Sequence, residues 1–235
     1  MKTETQNAGL DYEVGRTLLK PRGTNLIFIH QAYGPNTYAK VKEAIEQDNL
    51  KPATMAETAS LAHAAFNSDD NHSKEIRKIM KERGLWAFTG TLYTPKLGYV
   101  QDNPETREGM PYMDESDLVK KLEAGDSSVR TFNYCFKTGE MSPGELAKNE
   151  YVQALAGDEG AEKLAELAGR HESQPYLWGF KSVSKPETRV SALFSNWNFG
   201  TWLYVYGDGY GRGNNRYGCA LGVQVSPQAH GENRD

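Results

Sequence analysis

Hydrophobic residues recur at two different spacings along the chain, and these spacings predict where its helices and strands lie. Between residues 36 and 83, apolar side chains three and four positions apart predict three short helices, with breaks at 50–52 and 67–72. Upstream, in residues 10–31, β-branched and aromatic residues among glycine and proline predict one or two strands. The first part of the chain is therefore expected to place strands before a helical region.

The rest of the chain is expected to be rich in strands. Residues 84–104 are predicted to form two strands joined at Pro95, followed by a helix at 114–122 and a strand at 128–136. The last predicted strands, each an apolar or aromatic run, are 174–183, 188–194, 201–207 and 217–225.

A helix-start signal lies between these groups of strands. Ser142 and Glu145 have the spacing of a capping box, with proline at the first helical position. They open a predicted pair of helices that ends near His171 and breaks at Gly157–Asp158. Because strands and helices do not alternate as βαβ units, the pattern predicts an α+β fold with an antiparallel sheet and several flanking helices. No repeat or linker divides the chain, so a single domain over 1–235 is expected.

The overall charge and hydropathy narrow the classes of function. The net charge is −4 and the mean hydropathy −0.69, with no basic run, so nucleic acid is not an expected partner. No apolar run approaches the roughly 20 residues that a bilayer helix needs, and the first residues lack the apolar segment of a signal peptide. We therefore expect a cytoplasmic protein that does not bind membranes.

Motifs for catalysis, cofactors and metals are weak. The glycines at 207, 209, 211 and 213 meet neither the G-x-G-x-x-G nor the P-loop spacing. The five histidines are scattered, and Cys135 and Cys219 are expected to be buried structural thiols. We expect no enzyme activity, no cofactor and no metal site.

The C-terminal region departs from the composition of the rest of the chain. In the strand 201–207, Leu203 and Val205 are expected to face the core, while Trp202, Tyr204 and Tyr206 lie on the other face. A hairpin is expected to join this strand to 217–225 and to display tyrosine, aspartate, arginine and asparagine. Binding loops use such residues because tyrosine gives large contacts at low entropic cost, while glycine and asparagine adapt.

Four residue types are missing from the same region. Residues 195–217 contain no Lys, Glu, Gln or Met, although Lys and Glu are common elsewhere in the chain. These four types, together with Trp, are the ones that an AAC codon cannot reach when only its adenines are replaced. Trp197 and Trp202 are the exceptions, and both are expected to belong to the scaffold.

Several segments resemble the variable proteins of archaeal diversity-generating retroelements, over roughly residues 85–225. The resemblance is carried by "SNWNFGTWLYVYG" and "YGCALGVQV", preceded by "KTGEMSPGELAKNEYVQALAGDEGAEKLAEL" and "KPETRVSAL". In that family, a reverse transcriptase copies a template repeat with errors at adenines, and the product overwrites the 3′ end of the target gene. The resemblance implies a C-type lectin-like fold whose variable side chains form a solvent-exposed ligand site.

The resemblance also implies which residues bind the ligand. It places the variable region at about 196–217, within a candidate region 196–225. The ligand would be a protein or another macromolecule. The implied ligand-binding residues are Asn196, Asn198, Thr201, Tyr204, Tyr206, Asp208, Tyr210, Arg212, Asn214, Asn215, Arg216 and Tyr217.

The sequence departs from two other groups of proteins that have the C-type lectin-like fold. Sugar-binding C-type lectins hold calcium with a Trp-Asn-Asp strand, but this chain has Trp197-Asn198-Phe199 and lacks the carboxylate. The sulfatase-modifying enzymes need a reactive cysteine pair, which two distant cysteines do not indicate. An enzyme of this second type and a structural or virion-associated protein remain the alternative hypotheses.

Overall fold

The structure is a computed structural model that describes residues 10–12, 18–196, 202–207 and 216–224. The described residues form a mixed α+β fold. Its helices are α1 (Tyr38–Gln47), α2 (Met55–Phe66), α3 (Asn71–Glu82), α4 (Glu115–Glu123), α5 (Pro143–Ala147) and α6 (Glu150–Ala168). No helix within these residues is long and apolar enough to cross a bilayer.

The described strands fall into three sheets. A five-stranded sheet has the order β1 (Leu10–Tyr12), β2 (Leu18–Pro21), β3 (Phe28–Tyr33), β14 (Ala220–Val223) and β4 (Lys51–Pro52). A seven-stranded sheet has the order β10 (Gly139–Glu140), β11 (Tyr176–Trp178), β13 (Trp202–Tyr206), β12 (Glu187–Asn196), β5 (Leu85–Tyr93), β6 (Gly98–Asp102) and β9 (Val129–Phe132). The third is the small ladder of β7 (Thr106–Arg107) and β8 (Met110–Pro111).

The seven-stranded sheet has one face that is covered by helices. All nine residues of β5 are buried, and alternate residues of this strand point to opposite faces. Leu85 and Ala87 belong to the main hydrophobic core, which also contains Leu203 and Val205 of β13 and the apolar residues of α2 and α6. This face of the sheet therefore forms one side of the main core, and the helices form the other.

The opposite face is covered unevenly. Trp86 and Phe88 of β5 pack with Val41 and Ile45 of α1 in a second core cluster. Farther along the sheet, Leu118 of α4 belongs to a third cluster, on Leu92, Tyr99 and Val129. On this opposite face, the side chains of β11 and β13 are aromatic. Of these, only Tyr206 packs against one of the two clusters.

The helix predictions are confirmed. Three helices lie between residues 36 and 83, and the side chains of Thr54 and Asp70 cap the second and third. The predicted capping box at Ser142 and Glu145 is present. Gly157 has φ +69°, a conformation that favours glycine, and it interrupts α6 at the predicted break.

Three sequence predictions about the strands were wrong. Residues 10–31 contribute three strands rather than one or two, since β1, β2 and the first part of β3 all fall there. The sheet is not entirely antiparallel, because β13 inserts between β11 and β12 and runs parallel to β11. The expected hairpin between β13 and β14 is absent: β13 already pairs with β11 and β12, while β14 pairs with β3 and β4 in the other sheet.

Candidate functional site

A row of aromatic side chains lies on the less covered face of the seven-stranded sheet. We call it the aromatic face, and its members come from β11, β12 and β13. Cross-strand register places Tyr176 beside Tyr204, Trp178 beside Tyr206, and Phe194 beside Tyr204. The aromatic face consists of Tyr176, Trp178, Phe194, Trp202, Tyr204 and Tyr206.

The rings of the aromatic face contact one another in a continuous series. Along β13, the ring centroids of Trp202 and Tyr204 are 5.9 Å apart, and those of Tyr204 and Tyr206 are 5.8 Å apart. Across to β11, the rings of Trp178 and Tyr206 are 6.1 Å apart and inclined by 4°. Such stacked pairs restrict each ring's rotamers, so the surface is preorganised for contact.

The alternation of side chains in β13 explains why the aromatic rings face outward. Leu203 and Val205 have no exposed surface and fill the core, so Trp202, Tyr204 and Tyr206 must point to the opposite face. That face is only half-buried at these three residues, and Trp178 beside them is 37% exposed. Burial of Leu203 and Val205 in the core thus leaves the aromatic side of the strand partly exposed.

The environment of the aromatic face disfavours ionisation of its central tyrosine. Burial raises the pKa of Tyr204, and the nearby Tyr176 and the Glu140 carboxylate raise it further. Glu140 lies in register with Tyr176 at the sheet edge. A neutral phenol both donates and accepts hydrogen bonds, so Tyr204 adds a hydrogen-bonding hydroxyl to an otherwise apolar surface.

Two glycines anchor the chain on either side of residues 208–217. The carbonyl of Gly207 accepts hydrogen bonds from the hydroxyls of Tyr93 at 2.9 Å and Tyr151 at 3.0 Å. Its N–H donates to the Trp178 carbonyl at 3.0 Å. At the other end, the Gly218 carbonyl accepts from the Asn36 N–H at 3.1 Å. The first end is therefore fixed to two buried tyrosines, and the second end to the half-buried Asn36.

A small pocket lies next to the aromatic face. It is lined in part by Trp86, Ala192, Phe194, Tyr206 and Gly218, so it extends from the face toward the second glycine anchor. Because most of these side chains are apolar, the pocket adds an apolar recess to the edge of the face.

The structure brings four of the predicted ligand-binding residues to the surface. Tyr204 and Tyr206 lie on the aromatic face, while Arg216 and Tyr217 are exposed beside the second anchor, with Tyr217 61% exposed. Asn196 ends β12 in register with Trp202. The other predicted residues lie outside the described part of the chain: Asn198, Thr201, Asp208, Tyr210, Arg212, Asn214 and Asn215.

Sequence reasoning missed half of the aromatic face. Tyr176, Trp178 and Phe194 lie outside the predicted variable region, whereas Trp202 lies on the outward face of its strand, as predicted. The alternation of Tyr176, Leu177 and Trp178 was the available signal, since Leu177 is fully buried and its neighbours point the other way. Nothing in the local pattern indicated that β11 lies beside β13.

The two cysteines have different environments. Cys219 is buried, and burial raises the pKa of its thiol, whereas Cys135 is exposed, so the prediction of two buried thiols was wrong for Cys135. Cys219 pairs with Leu85 at the start of β5. Cys135 follows β9, whose Phe132 is in register with Gly98 of β6, and Gly98 is in register with Tyr93 at the end of β5. A nine-residue strand spans roughly 26 Å, so the two thiols do not form one site.

A group of potential metal ligands also appears in the structure, although the sequence analysis expected none. The imidazoles of His30 and His72 meet the carboxylate of Glu75 between β3 and α3. His72 and Glu75 have helical spacing, but the local pattern does not show that His30 lies next to them.

Comparison of the chain with protein-family models, with curated proteins and with solved structures gives no match.

Proposed function

We propose that this protein is a non-enzymatic ligand-binding protein, in which a retroelement diversifies a recognition surface within residues 196–217. The surface would comprise the outward residues of β13, the segment after it, and the exposed Arg216 and Tyr217. The fold that we propose is the C-type lectin-like one implied by the resemblance. The mixed α+β architecture agrees with that assignment at the level of fold class.

One observation carries the proposal: β13 separates two sets of residues by their faces. Leu203 and Val205 are fully buried, while Tyr204 and Tyr206, two of the proposed variable residues, lie on the aromatic face. Exchange of an outward residue leaves the packing beneath the sheet unchanged. Such a strand supports many surfaces on one core, as a diversified protein requires.

The chemistry of the aromatic face favours a macromolecular ligand. Tyrosine and tryptophan are the residue types that contribute most to protein interfaces, and here they lie in a row rather than in a deep cavity. Tyr176, Trp178 and Phe194 would give a constant apolar platform. Tyr204, Tyr206 and the segment after Gly207 would determine which ligand binds.

Two observations weigh against the enzyme hypothesis. The distant thiols of Cys135 and Cys219 do not supply the reactive pair that a sulfatase-modifying enzyme needs. His171 and Ser195 form a serine–histidine contact, with Nε2 2.8 Å from the Ser195 hydroxyl oxygen, but Ser195 has no exposed surface. A substrate could not reach that hydroxyl in this conformation.

A display experiment tests the proposed division between core and surface. The proposed variable residues, including Tyr204, Tyr206, Arg216 and Tyr217, are randomised with adenine-replaced AAC codons and selected against several unrelated proteins. We expect folded binders whose melting temperatures stay within a few degrees of the parent. A library on the outer side of α4, at Glu115, Lys120 and Glu123, is the control; compared with a library at three of the variable positions, Tyr204, Tyr206 and Tyr217, it should yield fewer binders. Equal yields, or loss of folding in most members of the first library, would contradict the proposal.

A further inference from the structure

A second potential site lies on the other side of the seven-stranded sheet from the aromatic face. It contains His30 of β3 with His72 and Glu75 of α3, and their ligand atoms all lie within 4.8 Å of one another. His30 Nε2 is 2.9 Å from a carboxylate oxygen of Glu75. The ring centroids of His30 and His72 are 4.4 Å apart, in an edge-to-face arrangement. Two imidazoles and one carboxylate thus converge on one point.

The local structure explains why these three side chains meet. His72 and Glu75 are three residues apart near the start of α3, so they project from the same side of the helix. Asp70 caps that helix, with its carboxylate 2.9 Å from the Ser73 N–H, and this contact fixes where the first turn begins. Ile76 and Met80 hold the helix on the main core.

The third ligand is held by the five-stranded sheet. His30 lies in β3, which pairs with β2 and β14, and its side chain is only 12% exposed. Glu75, in contrast, is half exposed, so its carboxylate has room to rotate. The group therefore combines a well-placed imidazole with an adaptable carboxylate.

The set of donor atoms matches one class of metal ion. Zinc binds imidazole nitrogen and carboxylate oxygen at about 2.0–2.2 Å, which places neighbouring ligands of a tetrahedral site about 3.4 Å apart. The ligand atoms of the three residues all lie within 4.8 Å of one another, so no separation exceeds the tetrahedral value by more than about 1.4 Å. Calcium and magnesium prefer all-oxygen sites, so two imidazoles disfavour them. Two histidines and one glutamate leave a fourth position open to water.

We propose that His30, His72 and Glu75 bind a zinc ion that links β3 to α3. The site is separate from the aromatic face, because α3 packs through Ile76 and Met80 on the main core, which also contains Leu203 and Val205, whereas the aromatic side chains of β13 point to the opposite side of the sheet. Zinc binding and ligand recognition can therefore be tested independently.

The direct test is a metal titration of the untagged protein after removal of metals by a chelator. Zinc is measured by calorimetry, and cobalt serves as a spectroscopic probe of four-coordinate geometry. We expect one zinc ion per chain with a dissociation constant of about 1 µM or tighter, and visible absorption from bound cobalt. Absence of zinc binding would overturn the proposal.

Variants then assign the ligands. His72→Asn and Glu75→Gln are expected to weaken zinc binding at least about tenfold, since each removes or neutralises a direct ligand. The matched control is His63→Asn, because His63 forms a similar pair with Glu166 at 2.6 Å but belongs to no such three-residue group among the described residues. The control should bind zinc as tightly as the parent.

Melting curves of the metal-free variants show whether each one folds. Undiminished zinc binding by the folded His72→Asn and Glu75→Gln variants would place the ion elsewhere and overturn the assignment. An equal loss in His63→Asn would do the same.

Discussion

Gly207 lies directly against Tyr151, whose hydroxyl donates a hydrogen bond of 3.0 Å to the glycine carbonyl. A Cβ atom at position 207 would overlap that hydroxyl and the adjoining ring atoms. Tyr151 cannot move aside easily, because it is fully buried and its hydroxyl also lies 3.0 Å from Thr91 Oγ1. Position 207 is therefore restricted to glycine by close packing, and it marks the boundary between β13 and the segment that follows.

This contact predicts that Gly207→Ala destabilises the protein. Overpacking a buried position costs about 1–3 kcal/mol, and the free energy of unfolding in urea should fall by that amount. Gly144→Ala is the matched control, because a Cβ there would meet no atom within 4 Å. A similar, small effect of both substitutions would show that Gly207 is not held by the packing described.

The same reasoning extends to the second anchor. A Cβ atom at Gly218 would overlap the indole of Trp86, which donates from Nε1 to the Asn36 carbonyl at 3.1 Å. We expect Gly218→Ala to lower the melting temperature by several degrees. Retention of the parent's melting temperature would contradict the proposed anchoring of this end.

The faces of β13 predict unequal costs for substitutions in neighbouring positions. Leu203→Ala should lower the free energy of unfolding by about 2–5 kcal/mol, because it leaves a cavity in the main core. Replacement of the exposed Arg216 and Tyr217 by serine should change it by no more than about 0.5 kcal/mol. Urea unfolding measures both, and equal losses would contradict the division between core and surface.

Substitution of Tyr206 is expected to lower the free energy of unfolding by less than Leu203→Ala and by more than the exposed substitutions. It stacks on Trp178 and packs against the second core cluster, so it is not a freely exposed side chain. We expect Tyr206→Ser to cost about 1 kcal/mol, the size of one aromatic pair. Tyr206→Phe keeps the ring and should cost less. A loss as large as that of Leu203→Ala would show that Tyr206 belongs to the core.

His171 predicts a dependence of stability on pH. Burial lowers the pKa of its imidazole, an effect opposed by the hydrogen bond to the Leu167 carbonyl at 2.9 Å. Below the unfolded-state pKa of about 6.5, the unfolded chain binds a proton that the folded chain does not. The contribution of neutral His171 to stability is therefore complete above that pH and declines as the pH falls.

A comparison with His171→Gln isolates this effect. The difference in unfolding free energy between the parent and the variant should be larger at pH 7 than at pH 5, because the titration of other groups cancels. A difference that grows toward pH 5 would mean that the folded protein favours the charged imidazole.

Features set by residues close together in the sequence could be predicted, whereas contacts between distant segments could not. The helix break at 67–72, the helix start at Ser142, the break at Gly157 and the two faces of β13 follow from local patterns, and all were predicted. The position of β14 between β3 and β4 was not, because hydrophobic alternation shows which side chains face the core but not which strand edges pair. For the same reason, Trp178 beside Tyr206 and His30 beside His72 were found only in the structure.

The central claim is that residues 196–217 are diversified on a constant core, and the DNA around the gene tests it most directly. We expect a nearby reverse-transcriptase gene and a near-copy of the DNA that encodes residues 196–225, differing almost only where the copy has adenine. The differences should fall at Tyr204, Tyr206 and the proposed variable residues from Asp208 to Tyr217, with AAC or AAT in the copy. Codons for Leu203, Val205, Gly207 and Gly218 should be identical in both, because most exchanges would leave a cavity at the first two positions and overlap a buried ring at the last two. Absence of a near-copy, or differences at cytosine and thymine as frequent as at adenine, would contradict the claim.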